Sequence, residues 1–412
     1  MKVAMLTAEY PPHHWGGVGT SSWSLANGFA ERGHEVTVVT RRHALPPIEN
    51  HPAIRFVHVP WLKLPMAFAL SFGRQAARWV ASRGAGEFDA VLVHSNMTLL
   101  PRRAYRDIPA PILSHMCGNW QGERSGLRLS QIRPLTVSGA NDLAVKLLSA
   151  RYDRFEDYAV LHSDGVILEA VSEERAWNAR MKQRYPSLRE AAGGAFMQDR
   201  PHVKRVVVPV DMRGYTPAKR SDAVRARYAP GGAKLFLFVG RLAGRKNPAE
   251  ALEIFERYVA SGANAHLLVV GRGNQERKMR RRASRSGLGG RVHFLEGVPV
   301  GELQALYASA DLFLFPSTWE GYGIVMVESA CAGTPVLARP VGAVPEIVTP
   351  EVGAAYRSVE EAAASIPRLL ALDRGRVSVT MHALFDWGKI MDAYEEVLAE
   401  LVAEGKTRSA GA

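Results

Sequence analysis

The sequence predicts an α/β protein built from two doubly wound domains in series, each a parallel sheet with helices on both faces. Three observations carry this prediction. Short apolar runs alternate with longer stretches of helical period along the 412 residues. Those runs are rich in Val, Ile and Leu without polar alternation, the pattern of strands covered on both faces. The pattern stops over residues 185–202, with Pro186, Gly193, Gly194 and Pro201, and restarts after Asp211.

In the first half, strands are expected over 3–7, 35–40, 90–94, 111–115, 165–169 and 205–209. Helices are expected over 20–32, 74–82, 141–161 and 172–184, the first ending at Gly33, the usual residue past a helix C-terminus. In the second half, the expected strands are 234–239, 266–270, 292–295, 311–315 and 335–338, with helices over 248–260, 275–286, 301–308 and 324–331. A last helical stretch near 387–403 follows an irregular segment and has no strand after it. Two such arrays imply two domains with a ligand cleft between them. The expected division is 1–211, 212–380 and a terminal helical segment 381–412.

Composition narrows the class. Apolar residues at 47% and charged residues at 22% are ordinary globular usage and exclude a disordered chain. Two cysteines, Cys117 and Cys331, make no disulfide framework, so a reducing cytosol is the expected compartment. The net charge of +12 predicts an anionic partner: nucleic acid, a membrane surface or a phosphorylated small molecule. The opening apolar run is too short for a signal peptide. The stretch 61–72, interrupted by Lys63 and Pro65, falls short of the ~20 residues of a spanning helix. It reads as a loop and amphipathic helix on the body, or alternatively as a surface touching lipid or a greasy acceptor.

Ligands of parallel α/β sheets sit beyond the carboxyl ends of the strands. The first strand leads into Pro11-Pro12-His13-His14-Trp15-Gly16-Gly17-Val18-Gly19, then a helix opened by Thr20, Ser21 and Ser22. Gly16 and Gly17 let backbone approach a ligand, and the helix start aims amides at an anion. The loop is not Gly-x-Gly-x-x-Gly, and the second strand ends in Thr40-Arg41-Arg42 instead of an acid for a ribose. Those arginines suit a 2′-phosphate, which leaves NADP open at this point.

A second strand end reads Val239-Gly240-Arg241-Leu242-Ala243-Gly244-Arg245-Lys246-Asn247-Pro248. Arg241 as a forked donor and Lys246 as a point charge, five residues apart, suit a diphosphate. A third reads Pro316-Ser317-Thr318-Trp319-Glu320-Gly321-Tyr322-Gly323-Ile324, with Glu328 about one turn into the next helix. Here the glycines expose amides at a helix start. Glu320 and Glu328 accept bonds from vicinal hydroxyls and, being repelled by phosphate, should hold sugars. Two histidines also end strands, His94 in Val93-His94-Ser95-Asn96 and His115 in Ser114-His115-Met116.

These residues make the chain recognisable. It resembles the retaining glycosyltransferases of the large GT4 family, which have the GT-B fold of two Rossmann-like domains facing a cleft. The resemblance covers nearly the whole chain. It includes Gly16-Gly17, Gly33-His34-Glu35-Val36, Arg241 with Lys246, Val270-Gly271-Arg272-Gly273, Val292-His293-Phe294-Leu295 and the E-x7-E pair Glu320 and Glu328, continued by Gly333-Thr334-Pro335-Val336 and Glu346. It implies an acceptor-binding first domain, a second domain for a nucleotide-diphosphate sugar, and a final helix crossing back to the first domain.

By resemblance, Arg241 and Lys246 bind the diphosphate, with Gly16 and Gly17 approaching it from the other side. Glu328 takes the ribose and Glu320 the transferred sugar. Gly321, Tyr322, Gly323 and Ile324 touch sugar and phosphate. Relatives place a histidine where His115 stands, against the transferred sugar. His94 is expected to line the acceptor pocket or to be structural, with Asn96 on the same acceptor side. Two departures stand out: Asn247 replaces a frequent glycine, and Pro209-Val210-Asp211 replaces an Asn-Gly-Val-Asp turn. For the segment 185–202 the resemblance supplies no template, and it is expected to shape the acceptor site.

No cofactor or metal is expected beyond the donor, since no Asp-x-Asp and no spaced Cys/His cluster occurs. The expected reaction is transfer of a sugar, UDP- or GDP-linked, to a hydroxyl of a small-molecule, glycan or lipid-linked acceptor, with net retention and front-face attack. A GT-B sugar phosphorylase is the rival enzyme. A nucleic-acid binder is the distant alternative, suggested by the arginines of 277–285, which lack interleaved aromatics for base stacking. The same helix suits contact with an anionic membrane, giving a cytoplasmic protein with a peripheral inner-face option.

Overall fold

The computed structural model describes every residue except 13–15, 44–49, 65, 128–136, 186–201 and 411–412. The expected acceptor-shaping stretch 185–202 therefore lies almost wholly outside the described residues. The chain divides into two compact units. The first comprises Met1–Arg124, Ala144–Val210 and Trp387–Ala412; the second comprises Ser125–Leu143 and Asp211–Asp386. Residues 125–143, expected in the first domain, are thus grouped with the second.

The first unit holds seven parallel strands: β1 (Lys2–Thr7), β2 (Glu35–Arg41), β3 (Ile54–Val59), β4 (Ala90–His94), β5 (Ile112–Met116), β6 (Gly165–Leu168) and β7 (Val203–Arg205). Their order is β3-β2-β1-β4-β5-β6-β7. The second unit holds β8 (Lys234–Val239), β9 (Ala265–Val270), β10 (Val292–Leu295), β11 (Leu312–Phe315), β12 (Val336–Ala338) and β13 (Gly353–Ala355), ordered β10-β9-β8-β11-β12-β13. Each sheet reverses direction once, between β1 and β4 and between β8 and β11. Doubly wound sheets bind ligands at that reversal, beyond the strand ends.

The unalternating apolar runs are explained by burial on both faces. Val3 and Met5 pack under helices Gly17–Glu31 and Trp387–Ala410, while Ala4 and Leu6 pack under helix Phe68–Ala81. In the second unit Phe236, Phe238, Leu252, Phe255, Leu267 and Leu312 form the corresponding core. The terminal helix is intimate with the first unit: Ile390, Met391, Tyr394, Val397, Leu398 and Leu401 are all buried there. Gly28 makes this approach feasible, because a Cβ there would lie 2.5 Å from the Trp387 ring.

Several expectations are corrected. The long helix over 141–161 is broken into Val137–Leu148, a 3-10 turn at Ser149–Tyr152 and Asp153–His162. The strand expected at 205–209 lies earlier, at Val203–Arg205. The irregular stretch before Trp387 contains helices Val359–Leu370 and Arg374–Leu384. Strand β3 and strand β13 were not expected at all.

Candidate functional site

The candidate residues fall into one group in each unit. In the second unit, β8 ends at Val239, and a 3-10 turn at Gly244–Lys246 leads to helix Pro248–Ala260. Asn247 between them is left-handed, with φ of 48°. Such a backbone favours glycine and tolerates asparagine, which explains the departure seen in the sequence. Glu250 anchors the turn by accepting from Asn247 Nδ2 (2.8 Å), Arg339 Nε (2.6 Å) and Tyr356 OH (2.8 Å). The loop after β11 is tied to the same turn, because Thr318 N donates to Arg245 O at 2.8 Å.

This tie brings Lys246 and Glu320 into a direct ion pair, and Ser317 Oγ donates to Glu320 Oε1 at 2.7 Å. Burial on its own would raise the Glu320 carboxyl; the Lys246 ammonium overrides it and holds the group below the usual range. The same burial lowers Lys246, opposed by Glu320. The sequence assigns Glu320 to sugar hydroxyls and not to phosphate; in the structure it is the counter-ion of Lys246, the cation expected to bind the diphosphate. Arg241 stands near Asp142, a buried acid that burial raises and Arg241 lowers.

Gly323 caps helix Ile324–Cys331 in the left-handed region, at φ of 93°, which turns the chain from loop to helix. Tyr322 is buried with its ring edge-on to Phe385. Glu328 lies in the second turn of this helix. Its Oε1 accepts from Tyr215 OH at 2.9 Å and its Oε2 from Tyr307 OH at 2.7 Å. Burial raises this carboxyl, and the two tyrosines only partly oppose it. Each oxygen keeps acceptor capacity for a further hydroxyl.

In the first unit, Gly16 and Gly17 stand at the start of helix Gly17–Glu31. Parallel pairing sets His94 and His115 opposite each other at the ends of β4 and β5, with ring centroids 4.8 Å apart. His94 is fully buried, with Nε2 and Nδ1 each 3.1 Å from Ser21 Oγ and Ser22 Oγ respectively. His115 Nδ1 meets Tyr394 OH at 3.0 Å, and Nε2 lies 3.3 Å from Glu169 Oε1. Burial pushes His115 down to about 3, so its imidazole is neutral near pH 7. Asn96 is buried, and its carbonyl accepts from Trp120 Nε1 at 3.0 Å. Burial, then Glu169 and Glu173, push the Cys117 thiol well up, so it stays protonated and unactivated.

Two family models match the chain in succession: Glycosyltransferase Family 4 over residues 15–181 and Glycosyl transferases group 1 over residues 220–380. The chain is a GT4-type glycosyltransferase. An uncharacterized glycosyltransferase of Methanocaldococcus jannaschii is 27% identical over 367 residues, 85% of this chain and 84% of that one. Sucrose-phosphate synthase from Thermosynechococcus elongatus superposes with a TM-score of 0.73 at 18% identity, covering 98% of this chain and 100% of that one. Anabaena HepE, solved in complex with UDP-glucose, gives 0.66 at 16% identity, with 97% and 100% covered. The fold is GT-B, and the chain is a sugar-transferring enzyme.

Five partners in this glycosyltransferase escaped the sequence: Ser317 on Glu320, Tyr215 and Tyr307 on Glu328, and Glu169 and Tyr394 on His115. Tyr307 sits in an apolar helix and reads as core, and Tyr394 is 279 residues from its histidine. Ser317 alone carried a signal, lying three residues before Glu320. Among the described residues no helix is long and apolar enough to cross a membrane.

Proposed function

We propose that this glycosyltransferase acts with net retention, moving a hexose from a UDP- or GDP-linked donor to a hydroxyl acceptor, without a metal on the diphosphate. The observation that carries the reading is the Lys246–Glu320 pair beside Ser317, built on the same turn that follows Arg241. When the donor arrives, its diphosphate takes over Lys246 together with Arg241, and Glu320 is released to accept the sugar hydroxyls. Cleavage of the anomeric bond places negative charge on the leaving diphosphate. Arg241, Lys246 and the amides of Gly321–Ile324 are fixed before that charge develops, which is where electrostatic stabilisation is greatest. Gly16 and Gly17 serve the same diphosphate.

Glu328 holds the ribose, with its two tyrosines setting the carboxylate's orientation. Neutral His115 hydrogen-bonds the transferred sugar, while His94 and Asn96 support the acceptor side. A carboxylate committed to sugar hydroxyls is a poor nucleophile, so a donor phosphate oxygen takes the acceptor proton as attack occurs on the leaving-group face. A trapped glycosyl adduct on Glu320 or His115 would overturn this mechanism.

The testing experiment is a thermal-shift screen of UDP, GDP, ADP, dTDP and their sugars, followed by mass spectrometry of trial acceptors; UDP sugars go first. Arg241→Ala should lose about 1.5–3 kcal/mol for each charge-assisted bond removed, about 10- to 150-fold in kcat/KM. Unchanged kinetics would remove the diphosphate assignment.

A further inference from the structure

Spacing along the chain shows no Cys/His motif, yet the fold assembles one. The β4–β5 register sets His94 against His115, and Cys117 follows two residues later. The ligand atoms of these three residues lie within 4.8 Å of one another. Cys117 Sγ is 4.0 Å from His94 Nε2, 3.7 Å from His115 Nε2 and 3.9 Å from His115 Nδ1. Zinc bonds of about 2.3 Å to sulfur and about 2.0 Å to nitrogen, at tetrahedral angles, put ligand atoms about 3.5 Å apart. Side-chain shifts of roughly 1 Å close the three around an ion.

The surroundings match those of ligating imidazoles, which hand their second nitrogen to a neighbouring acceptor. His94 Nδ1 rests on Ser22 Oγ and His115 Nδ1 on Tyr394 OH. With both Nδ1–H groups donated there, both Nε2 lone pairs are left for a metal, and Cys117 Sγ stands within 4.0 Å of each Nε2. Ser21 Oγ, 3.1 Å from His94 Nε2, must yield to the ion. At His115 Nε2 the other neighbours are Glu169 Oε1 at 3.3 Å and Tyr394 OH at 3.5 Å. Glu169 is buried, its Oε1 faces the neutral His115 ring, and among the described residues no Lys or Arg pairs with it. Both imidazoles are fully buried, while Cys117 as a residue is only partly so.

We propose that His94 Nε2, His115 Nε2 and Cys117 Sγ form a site for a zinc-class divalent cation, with Glu169 beside it, and that the bound ion switches sugar transfer off. Imidazole and thiolate together select such ions over magnesium or calcium. On binding, the Cys117 thiol releases its proton to solvent and the sulfur donates to the metal, with no redox change. The inhibitory half rests on the role given to His115 above; the site itself does not.

Cobalt(II) is the probe, because its thiolate complexes absorb in the near-ultraviolet and visible. The untagged full chain should gain a thiolate-to-cobalt band that saturates at one equivalent and is displaced by Zn2+. Cys117→Ser should lose that band and bind Zn2+ at least tenfold more weakly, while Cys331→Ser keeps both. No saturable band in the unaltered chain, or a band that survives Cys117→Ser, overturns the site. Transfer should fall as Zn2+ binds and return with a chelator, and Cys117→Ser should transfer sugar and resist Zn2+. Zinc occupancy with undiminished transfer overturns the switch and spares the site.

Discussion

Glu320 pairs with Lys246, the cation that the donor diphosphate is proposed to need. Glu320→Gln removes a competitor for Lys246 and also a sugar ligand, so the two effects should separate. UDP alone should bind several-fold more tightly to the variant, while turnover falls at least a hundredfold; calorimetric titration and steady-state kinetics check them. The pair also predicts a pH dependence. The folded carboxyl titrates below its unfolded value of 4.5, so the unfolded chain takes up the proton first. Its stabilisation is complete above about pH 4.5 and is lost as pH falls through the folded value. Between pH 5 and pH 3 the melting temperature of Glu320→Gln should therefore drop less than that of the unaltered chain. Both carboxylates and both cations could be picked out in the sequence, since the strand ends mark where ligands go. Their pairing could not, because it joins loops some seventy residues apart, which meet where Thr318 N and Oγ1 both donate to Arg245 O.

At the scale of elements, the turn that presents Lys246 depends on Asn247. A β-branched residue is strained at φ of 48°, and Asn247→Val should cost about 1–3 kcal/mol of stability and displace Lys246. Asn247→Gly fits the backbone and should lose little, a contrast that denaturant melts of both variants measure. Most strands were legible because burial on both faces leaves an unbroken apolar run. Strand β3 was not, since its sequence IRFVHV places Arg55 and His58 at a sheet edge and breaks the run. Strand β13 is three small residues, GAA, with no β-propensity to show. The helix Val359–Leu370 carries Pro367 inside it, which reads as a breaker. The break at 149–152 is a 3-10 turn within helix-favouring residues, and periodicity does not register it.

For the whole molecule, the first unit is assembled from three stretches of chain, and the last of them is decisive. Ile390, Met391, Val397, Leu398 and Leu401 are almost completely buried in its core and together contribute on the order of 10 kcal/mol, an upper estimate. Ending the chain at Asp386 should leave the first unit unable to fold stably, seen as insoluble expression or loss of a cooperative melt. A soluble, cooperatively melting product would contradict this. The division into two doubly wound units was readable from the sequence at the break near Asp211. Assignment of 125–143 to the second unit was not, because it is set by contacts in space and not by any local pattern.

The terminal helix also has a bearing on biosynthesis. On the ribosome, β1 and helix Gly17–Glu31 emerge early with an apolar face that only residues near the end of the chain will cover. Through translation of more than three hundred residues that face stays open, and chaperones or transient collapse must shield it. The second unit, bounded by 211 and 386 apart from its excursion at 125–143, suffers no such delay. The first unit is thus closed only after the second has been made, and a chain that stops short of Trp387 carries a seven-stranded sheet with one face uncovered, not a smaller enzyme.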